Sequence, residues 1–342
     1  MGRIRGIRWF YWRAMEIAVR TRQARRLLML RLLGPPKPGS EAYRRQIAEE
    51  IEHYSGLHTE GRQPSLCEKA PTSWEEIQNR CVDRIREHTG LHLVGHVSSR
   101  LPRPGALCIS LGSGPGGVEL AIARETPGAA FLCLDLNPEV LALGRQQASR
   151  EHLDLTFRQA DLNAVELPEA EFDVALCYAS LHHLIELEHV LGQIRRCLRP
   201  GGELVVMDIC TPNGFLMRPE TRRLAEKIWA TLPDRYRVNH TAYTRPQPDT
   251  RLWSGDMRRS GMECVRSGDI LPLLRRHFDE RAFVPLLGIA TRFLNTMYGP
   301  NYDLARPLDR AILDWIWELD VHLLDQGALE PESFFGVYSP RP

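Results

Sequence analysis

From residue 105 onward short apolar runs alternate with amphipathic stretches, a rhythm that predicts strands alternating with helices. Ala106-Leu-Cys-Ile-Ser-Leu111, bounded by Gly105 and Gly112, has the length and unbroken apolarity of a buried strand. Residues 118–124 read as helix, 130–134 as strand, 138–150 as helix, and 155–159, 172–177 and 203–207 as the third, fourth and fifth strands. Such alternation implies a parallel sheet covered on both faces, with its ligand crevice at the carboxyl ends of the strands.

Upstream the pattern is helical. A helix is expected over 9–33, stopped by Gly34-Pro35-Pro36. After the turn-rich linker Gly34-Pro-Pro-Lys-Pro-Gly39, polar helical stretches follow at 41–54 and 73–89, the second with Thr72 and Ser73 as N-cap candidates.

Composition narrows the class. With 342 residues, 43% apolar and 25% charged, and a mean hydropathy of −0.31, the chain can bury a core. It has no run near the ~18 apolar residues of a membrane span. The eight cysteines form no CxxC pair, and Cys108, Cys133 and Cys177 sit inside apolar runs. That fits reduced, buried thiols in a cytoplasmic protein, not a disulfide framework or a zinc site. No Asp/His/Glu spacing along the chain reads as a metal site, so no metal is expected.

The net charge of +1 hides an asymmetry: residues 1–33 hold nine arginines and one acid, so the rest of the chain is acidic. The body therefore gives no argument for nucleic acid. The arginines scatter around the helical wheel. Packing on the body or on a second subunit, as in a homodimer, is the expectation, with a membrane surface, an anionic partner or a targeting signal as alternatives.

The first strand runs into Leu111-Gly-Ser-Gly-Pro-Gly-Gly117. Gly112, Gly114 and Gly117 satisfy the dinucleotide pattern G-x-G-x-x-G, and Gly112, Gly114 and Gly116 satisfy G-x-G-x-G. The loop alone does not choose between them. Asp135, ending the second strand, suits a ribose diol either way. Asp161 after the third strand could accept from an adenine amino group, with Leu162 beside the ring. The fourth strand exits into Cys177-Tyr-Ala-Ser-Leu-His-His-Leu184, and Leu198-Arg-Pro-Gly-Gly202, a helix stop and tight turn, precedes the fifth. None of the three lysines has a tyrosine four positions before it, which removes the Tyr-x-x-x-Lys pair of short-chain dehydrogenases.

Together, over about residues 100–210, these features resemble the class I S-adenosylmethionine-dependent methyltransferases. Leu232-Pro-Asp-Arg-Tyr-Arg237, Met262-Glu-Cys-Val-Arg-Ser267 and Ile270-Leu-Pro-Leu-Leu-Arg-Arg-His-Phe278 look like methyltransferases of bacterial glycan and secondary-metabolite pathways. The resemblance implies an α/β, Rossmann-like sheet of seven mostly parallel strands with helices on both faces. Its sixth and seventh strands would lie at 282–286 and 333–338, the last antiparallel. A helical extension (1–98) would precede a methyltransferase domain (99–342) with insertions at about 211–262 and 289–328. The cofactor would be S-adenosyl-L-methionine, held by Gly112, Ser113, Gly114, Gly116, Asp135, Leu136, Asp161, Leu162 and Tyr178. The family usually places an acid two residues before the first glycine. Here Ser110 stands there, and Glu119 is the candidate substitute.

Methyl transfer from a sulfonium is an in-line displacement, and a hydroxyl acceptor also needs a base. His183 is the first candidate base, then His182, then His240, with the wild-type rate falling below the free-histidine value of ~6.5. Arg235, Arg237, Arg245 and Arg251 could clamp an anionic acceptor, and Trp229, Trp253, Phe293, Met297 and Tyr298 would suit an apolar one. A small-molecule acceptor is expected, foremost a hydroxyl oxygen of a glycan or natural-product intermediate. Carbon or nitrogen transfer to a natural product, including an isoprenoid, stays open. So do a nicotinamide-dependent oxidoreductase or epimerase and a non-catalytic cofactor binder.

Overall fold

The computed structural model describes residues 21, 23–30, 32–59, 71–241, 247–259 and 261–341. Residues 1–20, Cys67 and Arg245, and the expectations attached to them, lie outside the described residues. Residues 23–30 are helical. Helices α1 (Glu41–Thr59), α2 (Thr72–Thr89) and α3 (Leu93–Ser99) precede the sheet, and α1 runs past its expected end at Tyr54.

The strands are β1 (Leu107–Leu111), β2 (Ala130–Asp135), β3 (Leu155–Gln159), β4 (Phe172–Tyr178), β5 (Leu198–Ile209), β6 (Phe278–Leu286) and β7 (Ser333–Pro340). They form one sheet in the order β3-β2-β1-β4-β5-β7-β6. Pairing is parallel from β3 to β5, and β7 runs antiparallel to both neighbours. Between and after the strands lie α4 (Gly117–Glu125), α5 (Pro138–Glu151), α6 (Leu187–Cys197), α7 (Pro219–Thr231), α8 (Ile270–His277), α9 (Ala290–Leu294) and α10 (Pro307–Asp325).

The apolar runs become strands because both of their faces are buried. In β4, Val174 and Leu176 join one apolar layer while Ala175 and Cys177 join the other, the period-two alternation of a strand covered on both sides. The first layer takes in α4, α5 and α10, and also Ile77, Cys81 and Ile85 of α2. Complete burial of Ile77 and Ile85 contributes about 1.5–3 kcal/mol each, so α2 belongs to the core. The second layer is closed by α6 and α8.

Two local expectations are corrected. Pro71, not Thr72 or Ser73, is the N-cap residue of α2, and the Ser73 hydroxyl instead donates to the Gly299 carbonyl at 2.9 Å. Leu198–Gly202 is not a free turn. Leu198 already pairs with Phe172, and a register shift absorbs Pro200-Gly201-Gly202 before Val174 meets Glu203. Among the described residues no helix is long and apolar enough to cross a membrane.

Candidate active site

A cavity of about 330 Å³ opens at the carboxyl ends of β1, β2 and β4. Its floor is the loop after β1. Gly112 and Gly114 both hold the left-handed conformation, at φ +76° and +54°. A Cβ at Gly112 would lie 2.5 Å from that of Ser180, whereas one at Gly114 would meet no protein atom within 4 Å. Gly116 does not line the cavity; it is needed because a Cβ there would strike the Phe157 ring at 2.7 Å.

Asp135, Leu136, Ser113, Leu162 and Tyr178 all line the cavity. The Asp135 carboxylate accepts from the Gly114 amide through Oδ2 and from the Asn137 amide through Oδ1, both at 2.8 Å. A carboxylate has about four acceptor positions, so two remain for a ribose diol. Behind the loop, the Ser110 hydroxyl donates to Glu119, whose carboxylate is only 2% exposed yet lines the cavity. Burial pushes the Glu119 pKa up, against the Ser110 hydrogen bond that lowers it.

Helix α1 closes the cavity from above, which the sequence did not foretell. Tyr43, Ile47, Glu50 and Tyr54 share one face of it, and Glu50 and Tyr54 reach the cavity. Asp161, expected at the adenine, is instead engaged by this helix: the Tyr43 hydroxyl donates to it, and Asp161 does not line the cavity.

Of the paired histidines, His183 lines the cavity and His182 turns inward. His182 is buried, with Nδ1 2.6 Å from Asp208 Oδ1. Asp208 is the penultimate residue of β5, and its other oxygen accepts the Ser180 and Leu181 amides at 2.9 and 2.7 Å. His183 Nδ1 lies 2.7 Å from Glu50 Oε1, an ion pair without the alignment of a hydrogen bond. Its Nε2 stands 3.3 Å from the Tyr54 hydroxyl and 3.6 Å from Glu263 Oε2. Burial pulls the His183 pKa down, but the charges of Glu263 and Glu50 outweigh it and raise the value to about 9. This raised value runs against the titration expected near the free-histidine value. Glu50, Glu263 and Asp208 were invisible as partners because they lie on three separated segments. The one local signal was Asp208, an acid near the end of an apolar strand.

His240 does not line the cavity: its Nε2 lies 2.9 Å from Asn301 Oδ1. Trp229, Phe293 and Tyr298 are buried core, and Trp253 and Met297 pack against them, so none of the five offers a surface to an acceptor in this cavity. Arg235 pairs with Asp309 and Arg237 with Asp234, each a partner within the fold, and Arg251 is exposed.

Residues 109–206, the segment that builds this floor and wall, match the family model described as a methyltransferase domain. The chain carries a class I S-adenosylmethionine-dependent methyltransferase domain. S-adenosyl-L-methionine is the cofactor of this domain, and the dehydrogenase reading of its glycine loop falls away. The methyltransferase domain is 32% identical over 104 residues to demethylmenaquinone methyltransferase of Thermus thermophilus, covering 30% of this chain and 47% of that one. It is 27% identical over 117 residues to a ubiquinone/menaquinone biosynthesis C-methyltransferase of Geobacter sulfurreducens, covering 33% and 46%. To malonyl-[acyl-carrier protein] O-methyltransferase of Enterobacter lignolyticus the identity is 31% over 153 residues, covering 44% and 54%. The chain spans about half the length of these curated relatives.

Proposed function

We propose that the chain transfers the methyl group of S-adenosyl-L-methionine to a carbon atom of a quinone-type or isoprenoid small molecule. The observation that carries this reading is the cavity at the β1, β2 and β4 ends. It unites the glycine loop, a half-engaged Asp135 and the buried Glu119, within a segment that matches a methyltransferase family.

Asp135 takes the ribose hydroxyls, Glu119 with Ser110 takes the methionine ammonium in place of the family's usual acid, and Tyr178 and Leu162 flank the bound molecule. The acceptor enters between α1 and the exit of β4, where Tyr54 and His183 stand. A carbon acceptor of this class is a ring carbon made electron-rich by a neighbouring hydroxyl, and it sheds a proton after attack. Quinone names among the relatives favour carbon, and an oxygen acceptor has the malonyl-[acyl-carrier protein] O-methyltransferase as a counterpart. The seven described cysteines, all buried and unpaired, speak for a reducing, cytoplasmic setting.

The test is a panel assay with methyl-labelled cofactor and reduced naphthoquinols, benzoquinols, prenyl diphosphates and acyl-carrier-protein thioesters. Label on a quinol or prenyl carbon supports the reading. Label on oxygen alone moves the function to the oxygen class, and tight cofactor binding with no labelled product in any arm leaves a non-catalytic binder.

A further inference from the structure

We propose that His182, His183 and Glu263 form a binding site for a divalent transition-metal ion at the wall of the cofactor cavity. Their donor atoms lie within 4.8 Å of one another: Glu263 Oε1 is 3.6 Å from His182 Nε2, and Oε2 is 3.6 Å from His183 Nε2. An ion bonded at about 2.0–2.2 Å draws such donors to roughly 3.0–3.5 Å apart, so the cluster closes by small side-chain shifts.

The outer partners point the same way. Asp208 accepts three backbone amides, from Ser180, Leu181 and Ile209, in full burial. His182 Nδ1 lies 2.6 Å from Asp208 Oδ1, and its Nε2 faces Glu263 Oε1 at 3.6 Å. Glu50 Oε1 stands 2.7 Å from Nδ1 of His183 as an ion-pair partner. A carboxylate behind each imidazole is the arrangement that orients histidine ligands in metal sites.

The loop presenting Glu263 is tied to these partners. The Met262 amide donates to Glu50 Oε2 at 3.0 Å, the Val265 amide to the His182 carbonyl at 3.1 Å, and the Gly214 amide to the Cys264 carbonyl at 2.7 Å. Cys264 holds a left-handed φ of +51°, a conformation costly for a residue with a Cβ. Three carboxylates face two imidazoles, a surplus of negative groups that suits a bound dication.

Two imidazole nitrogens and one carboxylate oxygen favour zinc, iron(II), cobalt or manganese over calcium. Three protein ligands leave coordination positions open, and His183 on the cavity wall turns them toward the acceptor's side. That an acceptor oxygen would ligate there rests on the methyltransferase reading; the ion site itself does not.

The test uses the full chain, stripped with chelator, titrated with Zn²⁺ by calorimetry and with Co²⁺ by visible absorption. S-adenosylhomocysteine binding is measured in parallel. One Zn²⁺ per chain is expected, weakened at least about 10–100-fold in Glu263→Gln, the loss that even an outer partner's removal causes. Co²⁺ should show ligand-field bands without thiolate charge transfer. Equal Zn²⁺ affinity in the wild type and Glu263→Gln, or a thiolate band placing the ion on Cys264, overturns the site. Should Glu263→Gln fail to fold, His183→Asn replaces it with the same expectation. S-adenosylhomocysteine binding without metal binding overturns the ion site alone; metal binding without S-adenosylhomocysteine binding overturns the methyltransferase reading alone.

Discussion

The Tyr43 hydroxyl lies 2.8 and 2.9 Å from the two carboxylate oxygens of Asp161, joining α1 to the end of β3. The same hydroxyl accepts from the Asn163 side-chain amide at 2.9 Å, and Asn163 in turn accepts the amides of Ile185 and Glu186. One phenol thus connects the helix over the cavity to the loops after β3 and β4.

Removing that hydroxyl tests how the helix is held. Tyr43→Phe leaves an anion and an amide without their partner, a loss of about 1.5–3 kcal/mol for a charged hydrogen bond. Amide hydrogen exchange should accelerate in α1 while β4 and β5 stay protected. Unchanged exchange across α1 would show that other contacts hold it.

The Ser110–Glu119 pair gives a test that separates charge from family pattern. Glu119→Gln should raise the cofactor dissociation constant by about 10–150-fold, the equivalent of one charge-assisted hydrogen bond. Ser110→Asp restores the acid usual in the family, yet it should also weaken binding, because two carboxylates would then share one buried site. Only Ser110→Asp combined with Glu119→Gln should recover affinity, as calorimetry would read. If Ser110→Asp alone binds more tightly, Glu119 is not the substitute acid.

What the sequence made legible was whatever depends on neighbours along the chain. Strand and helix positions from β1 to β4 follow from apolar runs and glycine turns, and the loop with Asp135 follows from a compact motif. The charge network around His183 does not. Glu50, His183 and Glu263 meet across long stretches of chain, and each by itself reads as an ordinary polar residue on a helix or loop. Asp161 misled for a related reason. Its position after β3 suits a ligand, but nothing local announces that a tyrosine on α1 engages it. The aromatic residues of the insertions filled the core instead, since Trp229 on α7 packs on Phe293 of α9 and on Tyr298.

Arg292 and Glu332 form an ion pair in which both side chains are buried, at 2.7 Å. Burial raises the Glu332 carboxyl to about 7, against the lowering effect of Arg292. Arg292→Met strands that carboxyl and should cost about 3–5 kcal/mol, read as a lower denaturation midpoint. Adding Glu332→Leu should restore most of the loss, because the fold then avoids desolvating two charges. A double variant no more stable than Arg292→Met would mean that Arg292 acts mainly through the Phe215 carbonyl, to which it donates at 3.1 Å.

The last expectation concerns the proton on His183 in the chelator-treated protein. In the unfolded chain an imidazole loses its proton near ~6.5. In the folded protein the value is raised to about 9, with Glu263 and Glu50 overcoming the effect of burial. The folded state therefore binds this proton more tightly, so its stabilising contribution is complete below ~6.5 and is lost as pH rises to about 9. Nitrogen-resolved NMR of the imidazoles should show His183 doubly protonated through neutral pH. Glu50→Gln should bring its titration down toward the ordinary range. For catalysis the sign is opposite to that of an unperturbed histidine: a rate that needs neutral His183 climbs until about pH 9 in kcat/KM. In kcat the inflection should fall lower, since the bound sulfonium adds a positive charge to the same cavity. If His183 takes the proton, His183→Ala should cut turnover by about 10²–10⁴-fold with cofactor affinity nearly unchanged. Wild-type activity already maximal at pH 6, or retained in His183→Ala, would remove it as the base and leave it as the cation that holds Glu50 and Glu263 in place.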